Sequence, residues 1–220
     1  MLNEKLIQLK ESVIHEATMV EEMIRKSIKG LIEKDKKNLE EVIKKQEGRV
    51  NKAEIDIDEK CINLIALYQP EARDLRTILM ILKMNNDLER MGDQAVNISE
   101  SALFLIEKPF IKPFIDIPRM AEEASNMLKD SITSFINEDV KLAQDVVKRD
   151  NIVDNLQTQI IRELVTFMIS DTTTIERCLH IIRISHNIER IADLSTNICE
   201  DTIFMVSGKN IKHFKKKDNK

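Results

Sequence analysis

Apolar residues recur at steps of three and four along almost the whole chain, the spacing of helices that bury one face. Leu6, Leu9, Val13, Val20, Met23, Ile24 and Ile28 mark a first helix that ends between Gly30 and Asp35. A second, from about Asp35, carries Leu39, Ile43, Val50, Ala53, Ile57, Cys61 and Leu64, after which Tyr68-Gln69-Pro70 turns the chain. The third places Ile81, Met84, Leu88, Met91, Ala95, Ile98, Ala102 and Leu105 in alternating steps without a slip, the seam of a supercoiled bundle. Pro109, Pro113 and Pro118 then fall in a connection at residues 108–118. Three further helices are expected at residues 119–137, 139–170 and 173–206, the last repeating the seam at Ile181, Ile184, Ile188, Ile191, Ser195 and Ile198. No stretch alternates with the period of a strand, so the fold class is all-α.

The polar positions add a repeat. Residues 81–100 and 181–200 share seven of twenty positions at an offset of 100: Ile81/Ile181, Glu89/Glu189, Arg90/Arg190, Asp93/Asp193, Asn97/Asn197, Ile98/Ile198 and Glu100/Glu200. Most of these are polar or charged, whereas a repeat kept for packing would hold its apolar residues. The second helices align at an offset of 103 through Leu39/Leu142, Lys45/Lys148, Glu47/Asp150, Val50/Val153 and Asn51/Asp154. The chain therefore reads as two tandem antiparallel three-helix bundles, six long helices in all. The expected units are residues 1–107, a proline-rich linker at 108–118, residues 119–207 and a basic, frayed tail at 208–220.

Glu89 and Asp93 are four apart and stack on one helix face, and Asn97 and Glu100 continue the stripe. Glu189, Asp193, Asn197 and Glu200 repeat it, while Glu47/Asn51 and Asp150/Asp154 are further pairs on the second helices. With a turn at residues 171–172, Asp154 and Glu189 each lie about 17.5 residues from it, and Asp150 and Asp193 each about 21.5. Equal counts at equal rise put these pairs level on neighbouring antiparallel helices. Asn51 and Glu89 are nearly level in the first half, so four acidic or amide side chains converge in each. One Glu-x-x-x-Asp is ordinarily a solvated acidic face. Its repetition and level matching favour a cation, and an all-oxygen set suits hard or borderline metals.

Heptad phase refines this reading. With Leu88 and Met91 at core positions, Glu89 is b and Asp93 is f, while Asp150 is e and Asp154 is b, all directed away from the seam. Di-iron carboxylate bundles instead aim Glu and Glu-x-x-His ligands into the core. Only His186, one turn before Glu189, stands near the stripe as an auxiliary ligand, so redox chemistry inside the bundle is disfavoured. Arg90 and Arg190 read as salt-bridge partners that hold the carboxylates in place.

Composition excludes more than it selects. The 220 residues include 4 Gly, 4 Pro and no Trp, and 33% are charged, the makeup of long helices. A net charge of −4 gives no basic footprint for nucleic acid. Cys61, Cys178 and Cys199 are scattered and odd in number, as in a cytosolic protein with reduced thiols that fill the core. The ten methionines mostly fall on seam positions and read as core. The charged start MetLeuAsnGluLys is no signal peptide, and no apolar run approaches the ~18 residues of a membrane span. No nucleophile–base pair, phosphate loop or Cys/His metal spacing appears, so an enzyme is not expected.

AspLeuGluArgMetGlyAspGlnAlaValAsnIleSerGlu (87–100) and AsnIleGluArgIleAlaAspLeuSerThrAsnIleCysGlu (187–200) resemble the duplicated signature of the PhoU family of phosphate-transport accessory regulators. GlnProGluAlaArgAspLeuArg (69–76), just before the third helix, does so too. The likeness runs from the first helix to about Val206. It implies two similar three-helix bundles with multinuclear metal clusters on their surfaces, of iron, zinc, manganese or magnesium. The implied ligands are Glu89/Asp93, Glu189/Asp193, Asp150/Asp154 and Glu47/Asn51, where neutral Asn stands in for the acid and weakens the first-half cluster. The resemblance further implies a cytoplasmic, often dimeric adaptor between a phosphate ABC transporter's ATPase subunit and a phosphate-sensing histidine kinase, touching the membrane face only through partners. In that role it holds phosphate-starvation signalling off. Two rivals share the helices: an accessory subunit of another phosphate permease, and a carboxylate-bundle metal-storage protein or metalloenzyme.

Overall fold

The computed structural model describes residues 2–208, and every described element is helical. Helix α1 spans Leu2–Glu33. Helix α2, residues 36–68, joins α-helical Lys36–Glu41 and Glu47–Tyr68 through a π-helical turn at Val42–Gln46. Helix α3 spans Ala72–Ile106, α4 Asp116–Asn137, α5 Val140–Ser170 and α6 Ile175–Ser207, the last preceded by a 3₁₀ turn at Thr172–Thr174. The basic tail expected from residue 208 lies outside the described residues, apart from the capping Gly208.

Acidic caps set the hairpins. Asp35 accepts from the Asn38 amide at 3.2 Å, and Asp139 accepts from the Lys141 and Leu142 amides at 2.9 and 3.1 Å. Each satisfies donors that have no intrahelical partner. Helix α2 ends on Gln69 in the left-handed region (φ 47°), followed by Pro70, which cannot continue a helix.

The three-helix units share one core. Helix α3 lies along α6 and α1 along α4, so the seams Ile81–Leu105 and Ile181–Met205 face a common apolar interior. Lys83 reaches across this contact to the buried Asp201 (3.4 Å). Gly30 marks a tight approach of α1 to the start of α2, because a Cβ there would lie 2.6 Å from Leu39 Cδ2. Leu39 is itself fully buried. Gly30→Ala is therefore expected to cost about 1–3 kcal/mol by overpacking. Urea unfolding with an unchanged midpoint would show that Leu39 has room to move.

Three boundaries differ from the sequence reading. Helix α4 begins at Asp116, so Pro118 belongs to the helix rather than to the linker. Its missing N–H falls in the first turn, where no helical acceptor exists. Helix α3 begins at Ala72, taking most of residues 69–76 into its first turns. The short linker is pinned, with Phe110 and Phe114 edge to face at 4.8 Å, Lys34 4.3 Å over Phe110, and Arg177 Nη1 donating to Pro109 O at 2.9 Å.

The third difference is a change of phase. Buried positions Leu39, Val42 and Gln46 on α2 match Ala143, Val146 and Asp150 on α5 at an offset of 104. Beyond the π turn, Val50, Ile57 and Cys61 match Val153, Ile160 and Leu164 at 103. The π turn absorbs the extra residue. The offset-103 alignment therefore holds only beyond it, and Leu39 matches Ala143 rather than Leu142. Gln46, not Glu47, takes the buried position that Asp150 holds in the second half.

Candidate metal centres on the acidic stripes

In the second half, Asp150 and Asp154 on α5 face Glu189 and Asp193 on α6. Asp150 is buried, Glu189 and Asp193 are half-buried, and Asp154 is exposed. The Glu189 carboxyl is held above its ordinary range first by burial, then by the charges of Asp193, Asp154 and Asp150, while Arg190 opposes. A carboxyl that feels three others is a site of concentrated negative charge. Arg190 Nη1 lies 3.8 Å from Asp193 Oδ2, the salt bridge read from the sequence. His186 is exposed, and its Nδ1 lies 3.2 Å from Gln157 Nε2 on the neighbouring helix.

The first half is built differently. Glu89 and Asp93 are half-buried, Glu47 is half-buried and Asn51 is exposed. The Glu89 carboxyl is also raised, first by burial, then by Asp93, Glu54 and, more weakly, Glu47, with Arg90 opposing. Glu54 is raised in turn by burial, Asp58 and Asp93. The acid that faces the α3 stripe from α2 is thus Glu54 as well as Glu47. Arg90 Nη1 turns back toward Asp87 Oδ1 (3.8 Å), so it does not copy the Arg190 pairing.

Beneath this stripe lies Glu16 of α1, fully buried, with neither carboxylate oxygen bonded. Burial first, then Glu54, Asp58 and Glu89, push its pKa up to about 9. Asn85 of α3, also fully buried, donates through Nδ2 to Asp58 Oδ1 (2.8 Å) and to the Glu54 carbonyl (2.9 Å). Glu16, Glu54, Asp58 and Asn85 are absent from the sequence reading. A signal existed: Glu16 interrupts the apolar stripe of α1 between Val13 and Val20, and Glu54/Asp58 is another pair four apart.

Among the described residues, no group of three or more His, Cys, Asp or Glu side chains is already gathered as a metal would require. The donor chemistry nonetheless suits one: oxygen-only, anionic, half-buried and arrayed on two facing helices in each half. The cysteines contribute nothing. All three are free and buried, and burial pushes the Cys61 and Cys199 thiols up to about 12, far from the thiolate a metal needs.

A family model described as PhoU domain matches the chain twice, at residues 13–102 and 117–202. The chain belongs to the PhoU family. The two matches divide at the linker, as the repeat does. An Aquifex aeolicus protein named phosphate-specific transport system accessory protein PhoU homolog is 42% identical over 212 residues, 96% of each chain. The crystal structure of PhoU from Pseudomonas aeruginosa superposes with a TM-score of 0.91 at 31% identity, covering 95% of this chain and 100% of that one. PhoU from Streptococcus pneumoniae gives 0.89 at 26% identity, covering 96% and 99%. The all-α fold of two PhoU repeats is thereby established. No described helix is long and apolar enough to cross a membrane.

Proposed function

We propose that the chain is a non-enzymatic, metal-binding adaptor that represses phosphate uptake and phosphate-starvation signalling. It stands in the cytoplasm between the ATPase subunit of a phosphate ABC transporter and a phosphate-sensing histidine kinase, and it acts as a homodimer. The observation that supports this is membership, across both repeats, of a family whose relatives carry the name of phosphate-transport accessory proteins, together with the duplicated pairs Glu89/Asp93 and Glu189/Asp193. Asp150, Asp154, Glu189 and Asp193 hold metal in the second half. Glu47, Glu89 and Asp93 do so in the first, joined by Glu54, with Asn51 contributing at most one neutral oxygen. The bound ions supply positive charge that locks neighbouring helices together.

Deleting the gene in its native host should leave a phosphate-starvation promoter active in phosphate-rich medium, and the wild-type chain should restore repression. A promoter that stays silent in the deletion would sink the regulatory reading. Within the first half, Glu54→Gln should weaken Mn²⁺ binding about tenfold, more than Asn51→Ala does. Calorimetric titration of protein carrying Glu189→Ala and Asp193→Ala reads the difference. A larger effect at Asn51 would restore the pairing expected from the offset alone.

A further inference from the structure

Charged side chains are rarely fully buried without a partner, and an unbonded buried carboxylate is among the costliest arrangements in a core. Glu16 is such a case, at 0% exposure with Oε1 and Oε2 both unbonded. Nothing in the packing requires it: α1 and α4 match at an offset of 104 through Ala17/Ala121, Met23/Met127 and Ser27/Ser131, which places Met120 at the equivalent position. At the offsets of 103 between α2 and α5 and 100 between α3 and α6, Glu54, Asp58 and Asn85 match Gln157, Ile161 and Ser185. The second half therefore lacks this cluster, which makes it distinct from the duplicated stripe.

The unbonded atoms share a character. Asn85 spends its amide nitrogen on Asp58 and on the Glu54 carbonyl, and its Oδ1, like both Glu16 oxygens, is buried without a donor. Three buried oxygens without a partner, on two helices and beside the carboxylates of Glu54, Asp58 and Glu89, suit a cation. Arg90 opposes only at Glu89, on the rim, and the charges that act on Glu16 and Glu54 are those of other acids.

We propose that Glu16, Glu54, Asp58 and Glu89 form an interior site for a hard divalent cation in the first bundle, with Glu16 as its buried anchor. The site extends inward from the surface stripe, shares Glu54 and Glu89 with it, and to that extent rests on the metal reading of the stripes. Carboxylates that repel one another stand apart, and the cation draws Glu54 and Asp58 toward the fixed Glu16. A divalent ion ligated by oxygens of three helices clamps α1 to α2 and α3, whereas in the second bundle Arg149 of α5 pairs with Glu123 and Asp130 of α4.

The test uses Mn²⁺ and the full chain, stripped of metal by chelator and dialysed. Free Mn²⁺ is read by electron paramagnetic resonance across a titration, in a background where Glu189→Ala and Asp193→Ala silence the second half. Glu16→Met, which installs the residue found at position 120, is expected to lower the first-half Mn²⁺ affinity at least about tenfold, with Glu16→Gln intermediate. Melting in chelator confirms that each variant folds, and a purely structural Glu16 would alter that melting while leaving Mn²⁺ affinity alone. Unchanged affinity in Glu16→Met overturns the interior site and leaves the stripes standing. A first half that binds no Mn²⁺ while the wild type binds it overturns the interior site and the first stripe together, leaving the second. A wild-type chain that binds no Mn²⁺ at all overturns both.

Discussion

Glu16→Met should make the metal-free protein more stable than the wild type at pH 8, raising its melting temperature by on the order of 5 °C. The substitution removes a buried carboxyl with no hydrogen bond and installs the side chain that fits the matching site at Met120. The sign of the pH dependence follows from the same group. Its pKa is about 9 in the folded chain, above its ordinary value of 4.5, so between those values the folded form holds a proton that the unfolded form has lost. That contribution is complete below pH 4.5 and is lost as pH rises through 9. Glu54, Glu89 and Glu189 are shifted in the same direction. Glu22, Glu41 and Asp171 are shifted the other way, and their effect falls below their ordinary pKa values, outside this window. His180 is held below its ordinary 6.5 first by burial, then by Arg183, and opposes the trend as pH falls through that value. In chelator, wild-type melting temperature should therefore rise as pH falls from 9 toward 7, and Glu16→Met should flatten the slope. A variant that melts below the wild type at pH 8 with the same slope would show that Glu16 is satisfied in solution.

The second large effect is stabilisation by metal. A ligand at a thousandfold excess over its Kd adds about 4 kcal/mol to the folded state. For a chain of this length that corresponds to a rise in melting temperature on the order of 10 °C. Mn²⁺ should produce this rise in the wild type, and Glu189→Ala with Asp193→Ala should remove most of it, because these residues form the α6 wall of the second site. Asp150 faces them from a buried position, so Asp150→Ala should act in the same direction. Equal Mn²⁺-induced shifts in wild type and double variant would place the stabilising metal elsewhere.

How much of this was legible in the sequence depends on what each signal averages over. The six helices and the repeat follow from periodicity sustained over twenty residues or more, which a local irregularity does not erase. The seams at Ile81–Leu105 and Ile181–Ile198 are buried as the pattern requires. Counting from the turn at residues 171–172 brought Asp150, Asp154, Glu189 and Asp193 together because α5 has no interruption over that span. The same counting failed on α2. The π turn at Val42–Gln46 inserts one residue, and no glycine or proline there announces it, so Gln46 takes the buried position in place of Glu47, while Asn51, beyond the turn, still matches Asp154. Glu16 was missed for another reason. One acid in an apolar stripe looks like noise along a single helix, and only packing α2 and α3 against α1 shows that it faces Glu54, Asp58 and Glu89.

Metal held by the duplicated stripes is the central expectation, and elemental analysis tests it most directly. Protein purified without chelator should carry bound transition metal, and that content should fall when Glu189→Ala and Asp193→Ala are introduced together. Pure wild-type protein that is free of metal and takes up none on titration would contradict it.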